Sequence, residues 1–195
     1  GIIADSEPWN EESLQCAPKL KIISRYGVGM DSVDVEACKR HDVMVTNCPG
    51  VNANPVAEHA VAMMLCAVRN LVAVNESTKK GLWKQYMFRE LTGQTVGIIG
   101  FGFIGKKVAR KLMGFECRVI ACDVEPDEEA ARATNTELVS LEQVLSQSDI
   151  ICLHVPLTPE TYHMINEESL KKTKRGVIFV AEARGEVVDE GAMAI

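Results

Sequence analysis

Gly100-Phe101-Gly102-Phe103-Ile104-Gly105 follows the apolar run Thr95-Val96-Gly97-Ile98-Ile99 without a gap, and a helical pattern from Lys106 to Met113 comes directly after it. A strand, a glycine turn and a helix in that order suit the pyrophosphate of a dinucleotide. Gly100 permits the tight turn, Gly102 lets backbone approach the phosphates and Gly105 lets the helix lie against the strand, while the helix start offers unpaired N–H groups to the anion. The glycines alone are a weak signal. Asp123, however, ends the next apolar strand 18 residues beyond Gly105, where a carboxylate accepts hydrogen bonds from an adenosine ribose. Four positions in register outweigh the alternative of an ordinary tight turn beside a solvated strand end. The same carboxylate repels the extra phosphate of NADP, and Val124 beside it brings no guanidinium to receive that phosphate. The pattern therefore predicts NAD rather than NADP.

Reducing a ketone with hydride also needs a proton donor, and the chain offers four histidines. His41 lies at a polar helix end, His59 follows Glu58 on an apolar helix and His163 sits in a polar connection; all three read as surface or packing residues. His154 ends a strand beside Pro156, at the carboxyl edge of the sheet where ligands bind in such folds. Of the four it stands closest to where a ligand would bind. Glu58 is expected to anchor a helix start through the helix dipole. The acidic run Glu125 to Glu129 reads as a solvated loop or helix start, because adjacent carboxylates do not make coordination geometry, and no metal is proposed.

Short Val- and Ile-rich runs alternate with longer segments of helical period, which is the pattern of a parallel sheet covered by helices. The expected strands are residues 2–4, 20–24, 43–46, 95–99, 117–122, 150–154 and 176–181, and the expected helices include 33–41, 105–113 and 189–195. Ser140-x-x-Gln143 opens a further helix to Ser146 as a capping box. Residues 55–80 form one long apolar helix pattern, entered through the turn-rich Asn47-Cys48-Pro49-Gly50-Val51-Asn52-Ala53-Asn54. A hinge belongs there, with residues 1–53 and 54–195 as separate domains. Residues 81–93 carry Trp83, Tyr86 and Phe88, too aromatic for a flexible tether, and are expected to pack against a surface; Met63 and Met64 match a helix packing face. No internal repeat or low-complexity segment interrupts this order.

The 195 residues are 47% apolar and 25% charged, enough to build a core. A net charge of -6, spread evenly along the chain, argues against a broad nucleic-acid surface, and no apolar run reaches a membrane span. The seven cysteines are odd in number and never form C-x-x-C, so they read as reduced core thiols of a cytoplasmic protein. The chain opens without Met in the apolar run Gly1-Ile2-Ile3-Ala4 and stops inside a predicted helix, so both ends are expected to be cut from something longer.

Several separated stretches resemble the D-isomer-specific 2-hydroxyacid dehydrogenases. They are Tyr26-Gly27-Val28-Gly29-Met30-Asp31-Ser32-Val33-Asp34, Val45-Thr46-Asn47-Cys48-Pro49-Gly50 with Ala57-Glu58-His59, Leu153-His154-Val155-Pro156-Leu157-Thr158 with Thr161, and Ala183-Arg184-Gly185-Glu186-Val187-Val188-Asp189-Glu190; Arg69 and Trp83 also fall where that family often has them. The resemblance covers the whole chain. It implies a Rossmann-type doubly wound sheet, the NAD-binding domain, inserted into a smaller flavodoxin-like substrate domain, with the family's active site in the cleft between the two. On that basis Val28 and Gly29 would present backbone N–H groups to a substrate carboxylate, and Phe103 and Ile104 would contact the pyrophosphate beside Gly100, Gly102 and Gly105. Val155 and Pro156 would line the cofactor site, Glu182 and Ala183 would lie near the nicotinamide, and Arg184 would be the catalytic arginine. A planar guanidinium suits that role, because it can grip a carboxylate and polarise the neighbouring keto oxygen.

The implied activity is reversible hydride transfer between NAD and a small 2-hydroxy or 2-keto acid, by a homodimer meeting through the long apolar helix. Two features depart from the family. Ala181-Glu182 stands where a small polar residue such as Asn is usual, and the family's catalytic Glu and His lie downstream of Ile195, so the isolated chain is expected to bind NAD and turn over poorly. The alternative is an NAD(H)-sensing binding protein of the corepressor type, dimerising without dehydrogenase activity. The sequence does not select which 2-hydroxy acid is used.

Overall fold

A computed structural model describes residues 1–194. The chain divides into two compact units, Gly1–Ala53 and Asn54–Ile195. In the first, β1 (Ile2–Ala4), β2 (Ile22–Arg25) and β3 (Met44–Thr46) form a parallel sheet in the order β1-β2-β3. Helices α1 (Glu11–Gln15) and α2 (Val35–Arg40) complete it. Its core gathers Leu14, Ile23, Ala37, Cys38 and Val43. Asn10 and Asp34 cap the two helices by accepting hydrogen bonds from Ser13 N and Ala37 N.

The second unit begins with α3 (Ala53–Val68) and α4 (Leu71–Lys79). Residues 55–80 were expected to be one helix. The break falls at Asn70, whose φ of 50° is left-handed and cannot continue a right-handed helix, and the two segments bend by 65°. Among the described residues no single helix is long and apolar enough to cross a membrane. Five parallel strands follow: β4 (Thr95–Ile99), β5 (Arg118–Cys122), β6 (Thr136–Leu138), β7 (Ile150–Leu153) and β8 (Ile178–Ala181), in the order β6-β5-β4-β7-β8. This is the doubly wound order with its switch point between β4 and β7, so the Rossmann expectation holds. The connecting helices are α5 (Phe103–Leu112), α6 (Glu128–Ala133), α7 (Leu141–Gln147) and α8 (Glu167–Lys171), with α9 (Glu190–Met193) after β8. Of the helix expected over 189–195, Ile195 lies outside the described residues.

The central strands are apolar throughout because helices cover both faces of the sheet. Val96, Ile98 and Cys152 point into one core with Ala57, Ala60 and Met64 of α3 and Val108 of α5, whereas Ile99, Ile151 and Leu153 point into a second with Val144 and Leu145 of α7. Burying each of these Ile or Leu side chains is worth about 1.5–3 kcal/mol. The α7 capping box forms as expected: Ser140 Oγ accepts from Gln143 N at 3.2 Å, and Gln143 Oε1 accepts from Ser140 N at 3.0 Å.

Four other expectations are corrected. Trp83 and Met87 are 98% and 99% exposed, so the segment 81–93 packs only in part; Phe88 meets Tyr86 and lies under Arg69, and Leu91 reaches the core. All seven cysteines are free, but only Cys38 and Cys152 are buried; Cys16 is exposed and the other four are half-buried. Met64 is buried while its neighbour Met63, about 100° round the helix from it, is exposed. The strand β6, only three residues long, was not anticipated.

Candidate dinucleotide and hydride-transfer site

β4 ends at Ile99, and Gly100 turns the chain with φ 95°; a side chain there would stand 2.7 Å from the His154 carbonyl group. Gly105 packs against the Gly100 carbonyl oxygen so closely that no side chain fits. Gly102 is different: a Cβ there meets nothing within 4 Å, so its missing side chain leaves open space. The helix α5 starts at Phe103, two residues earlier than predicted, inside the glycine loop itself. Among the described residues the N–H groups of Gly102, Phe103, Ile104 and Gly105 find no acceptor, the first donation in this turn being Lys106 N to Gly102 O. Four orphan donors at a helix start, with Arg110 and Lys111 in its last turn, form an anion-binding concavity.

Asp123 follows β5 and faces this loop. Its Oδ2 accepts from Phe101 N at 2.5 Å and its Oδ1 from Glu125 N at 2.9 Å. Each carboxylate oxygen has a second lone pair, so the group still accepts hydroxyl donors while its orientation is fixed. Val124 beside it is fully exposed. Lys106 pairs with Asp127 at 2.5 Å, tying α5 to the cap of α6 behind Asp123.

Gly100, Gly102, Asp123, Val155 and Pro156 line one cleft of about 640 Å³ in the second unit, together with His154. Its remaining wall includes Val139 and Ser140 after β6, Thr158 and Thr161, and Met164. The loop after β7 is braced, with Thr161 Oγ1 donating to Pro156 O at 2.6 Å and accepting from Thr158 N at 2.8 Å. An apolar cleft edged by unpaired N–H groups and one oriented carboxylate, with open space over Gly102, fits a dinucleotide. Among the described residues no group of three His, Cys, Asp or Glu could hold a metal ion.

Beyond the cleft, β7 and β8 end side by side, Leu153 opposite Ala181, so His154 and Glu182 are the residues that leave the sheet together. Burial holds the His154 imidazole down to about 4, and neither ring nitrogen has a hydrogen-bond partner among the described residues. Burial pushes the Glu182 carboxyl above its ordinary range, only partly offset by His59. Cys152, one residue before the end of β7, is raised by the same burial and by the Glu182 charge. Ala183 packs on the second core, and Arg184 Nη1 donates to the Ala183 carbonyl at 3.0 Å.

In the first unit the loop at Val28 and Gly29 has its carbonyls tied down. Cys48 N donates to Gly27 O at 2.9 Å, Asn47 Nδ2 to Val28 O at 2.9 Å and Arg25 Nε to Gly29 O at 3.1 Å. Among the described residues the N–H groups of Val28 and Gly29 donate to no acceptor, which leaves a second small nest of donors for an anion.

Residues 61–195 match the family described as D-isomer specific 2-hydroxyacid dehydrogenase, NAD binding domain. The chain belongs to that family. It is 44% identical over 195 residues to D-3-phosphoglycerate dehydrogenase of Mycobacterium tuberculosis, covering 99% of this chain and 37% of that protein. It is 39% identical over 194 residues to glyoxylate reductase of Korarchaeum cryptofilum, covering 96% of this chain and 58% of that protein. A solved structure of D-lactate dehydrogenase from Aquifex aeolicus, complexed with NAD and lactic acid, superposes with a TM-score of 0.91 at 38% identity, over 98% of this chain and 59% of that one. The chain thus spans between about one third and three fifths of the length of these dehydrogenases.

The other candidate residues of this D-2-hydroxyacid dehydrogenase chain make structural contacts. Glu58 accepts from Asn54 Nδ2 at 2.9 Å and from Lys111 Nζ at 3.1 Å, and Lys111 holds its carboxyl below the usual range; it links α3 to α5. His41 meets Glu11 at 2.7 Å, and His163 stacks on Tyr162 with ring centres 4.0 Å apart. Sequence reasoning missed Val139, Ser140 and Met164 as cleft walls. The only available signal was the capping box at Ser140, whose preceding strand was too short to see.

Proposed function

We propose that the protein carrying this chain moves hydride between NAD and a small 2-hydroxy acid or its 2-keto partner. The observation that carries the reading is the cleft at the carboxyl ends of β4, β5 and β7, where orphan N–H groups and the Asp123 carboxylate converge. Gly102, Phe103, Ile104 and Gly105 would hold the pyrophosphate and Asp123 the adenosine ribose, with Val155 and Pro156 as apolar walls. When bound, NAD supplies the hydride acceptor or, reduced, the donor. Arg184 grips the substrate carboxylate with its planar fork and polarises the keto oxygen. Residues 1–53 would then be part of the substrate domain and 54–195 the NAD domain.

The protein acts as a homodimer on this reading. Trp83 and Met87, with Leu71 and Val72 of α4, are exposed apolar groups that a second copy would cover. The test is NADH oxidation by a panel of 2-keto acids. Arg184→Gln should lower kcat/KM by about a hundredfold or more with ADP-ribose affinity unchanged. NADH-dependent association without hydride transfer to any 2-keto acid would overturn this reading in favour of a cofactor-sensing binding protein.

A further inference from the structure

Glu182 is the first residue after β8, and its side chain is only 12% exposed. Both carboxylate oxygens are buried and neither has a hydrogen-bond partner among the described residues. His59 of α3 approaches from one side, its Nε2 3.6 Å from Glu182 Oε1, too far for a hydrogen bond but close enough to feel the charge. An acidic group in such a place costs folding energy unless something bound there returns it.

The topology says what that could be. The acid after β5 and the N–H groups at the start of α5 place a ribose and a pyrophosphate on the β4–β5 side of the switch point, so the far half of a dinucleotide must run the other way, over the ends of β7 and β8. Glu182 is the first residue past β8 at that end, outside the residues that line the cleft. The oxidised nicotinamide ring carries a positive charge, and uptake of hydride removes it; no other part of the cofactor changes charge between the two forms. A desolvated carboxylate therefore sees two different ligands in NAD+ and NADH, whereas Asp123 and the glycine loop see the same one.

We propose that Glu182 is a selectivity residue for the redox state of the cofactor, its carboxylate favouring NAD+ over NADH at the nicotinamide end of the site. The proposal rests on the NAD-binding reading above. His59 Nε2, 3.6 Å from Glu182 Oε1, makes no hydrogen bond that would neutralise the carboxylate.

Calorimetric titration of NAD+, NADH and ADP-ribose against the wild-type chain and Glu182→Gln, at mildly alkaline pH, tests this. Glutamine keeps the shape and removes the charge. The expected result is NAD+ binding weakened by roughly tenfold, the effect of one nearby charge in a partly desolvated site, with NADH and ADP-ribose changed by less than about twofold. Equal changes for NAD+ and NADH, or none for either, would overturn the proposal while leaving the NAD reading in place, because ADP-ribose would still bind. Failure of the wild-type chain to bind ADP-ribose would instead remove the NAD reading itself.

Discussion

His154 follows β7 with both ring nitrogens buried and without a partner among the described residues, so the folded protein keeps it neutral and holds its pKa at about 4, down from 6.5. The unfolded chain binds a proton at this residue below 6.5 and the folded chain does not until about 4. Stability therefore falls as pH drops through that window, by up to about 3 kcal/mol from this residue alone. Denaturant unfolding measured across the window should show this slope, and His154→Gln should flatten it; an unchanged slope would mean that His154 does not titrate with folding. Glu182 works in the opposite sense. Its carboxyl is raised by burial, so the ionised form costs stability at neutral pH, and Glu182→Gln should raise Tm while it removes the cofactor preference. Gly100, Gly102, Gly105 and Asp123 were legible in the sequence because their spacing is local and each has one mechanical job. The meeting of His59 with Glu182 was not, since the two lie more than a hundred residues apart and only the packing of α3 against the end of β8 brings them together.

The glycine loop divides its labour between fold and ligand, and substitution should separate the two. Gly100→Ala puts a side chain at φ 95° and against the His154 carbonyl, and should cost about 2–4 kcal/mol by chemical denaturation. Gly102→Ala points into open space, so it should leave stability within about 0.5 kcal/mol while weakening ADP-ribose binding by tenfold or more; the reverse pattern would mean that the open space over Gly102 is not the phosphate site. Most strands were legible from their runs of Val and Ile, which hold because both faces of the sheet are covered. The break between α3 and α4 was hidden because Arg69 and Asn70 interrupt the apolar pattern for only two residues, and the helix-ending conformation of Asn70 is a property of its φ, not its polarity. β6 was hidden for a different reason: Thr136, Glu137 and Leu138 are too few and too mixed to show a period, and they are a strand because β5 offers an edge to pair with.

Across the whole molecule, the exposed Trp83 and Met87 mark where a second copy belongs on the proposed reading. Trp83→Asp combined with Met87→Asp should shift sedimentation from dimer to monomer without changing the far-ultraviolet circular dichroism, and a wild-type monomer at all concentrations would contradict the homodimer. The central claim is that the cleft under Asp123 takes NAD and refuses NADP. Titration of NADH and NADPH against the wild-type chain and Asp123→Asn measures it most directly. NADH should bind the wild type at least about tenfold more tightly than NADPH, and Asp123→Asn should narrow that gap by weakening NADH and sparing NADPH. NADPH bound as tightly as NADH by the wild type, or a gap that survives the substitution, would contradict the account.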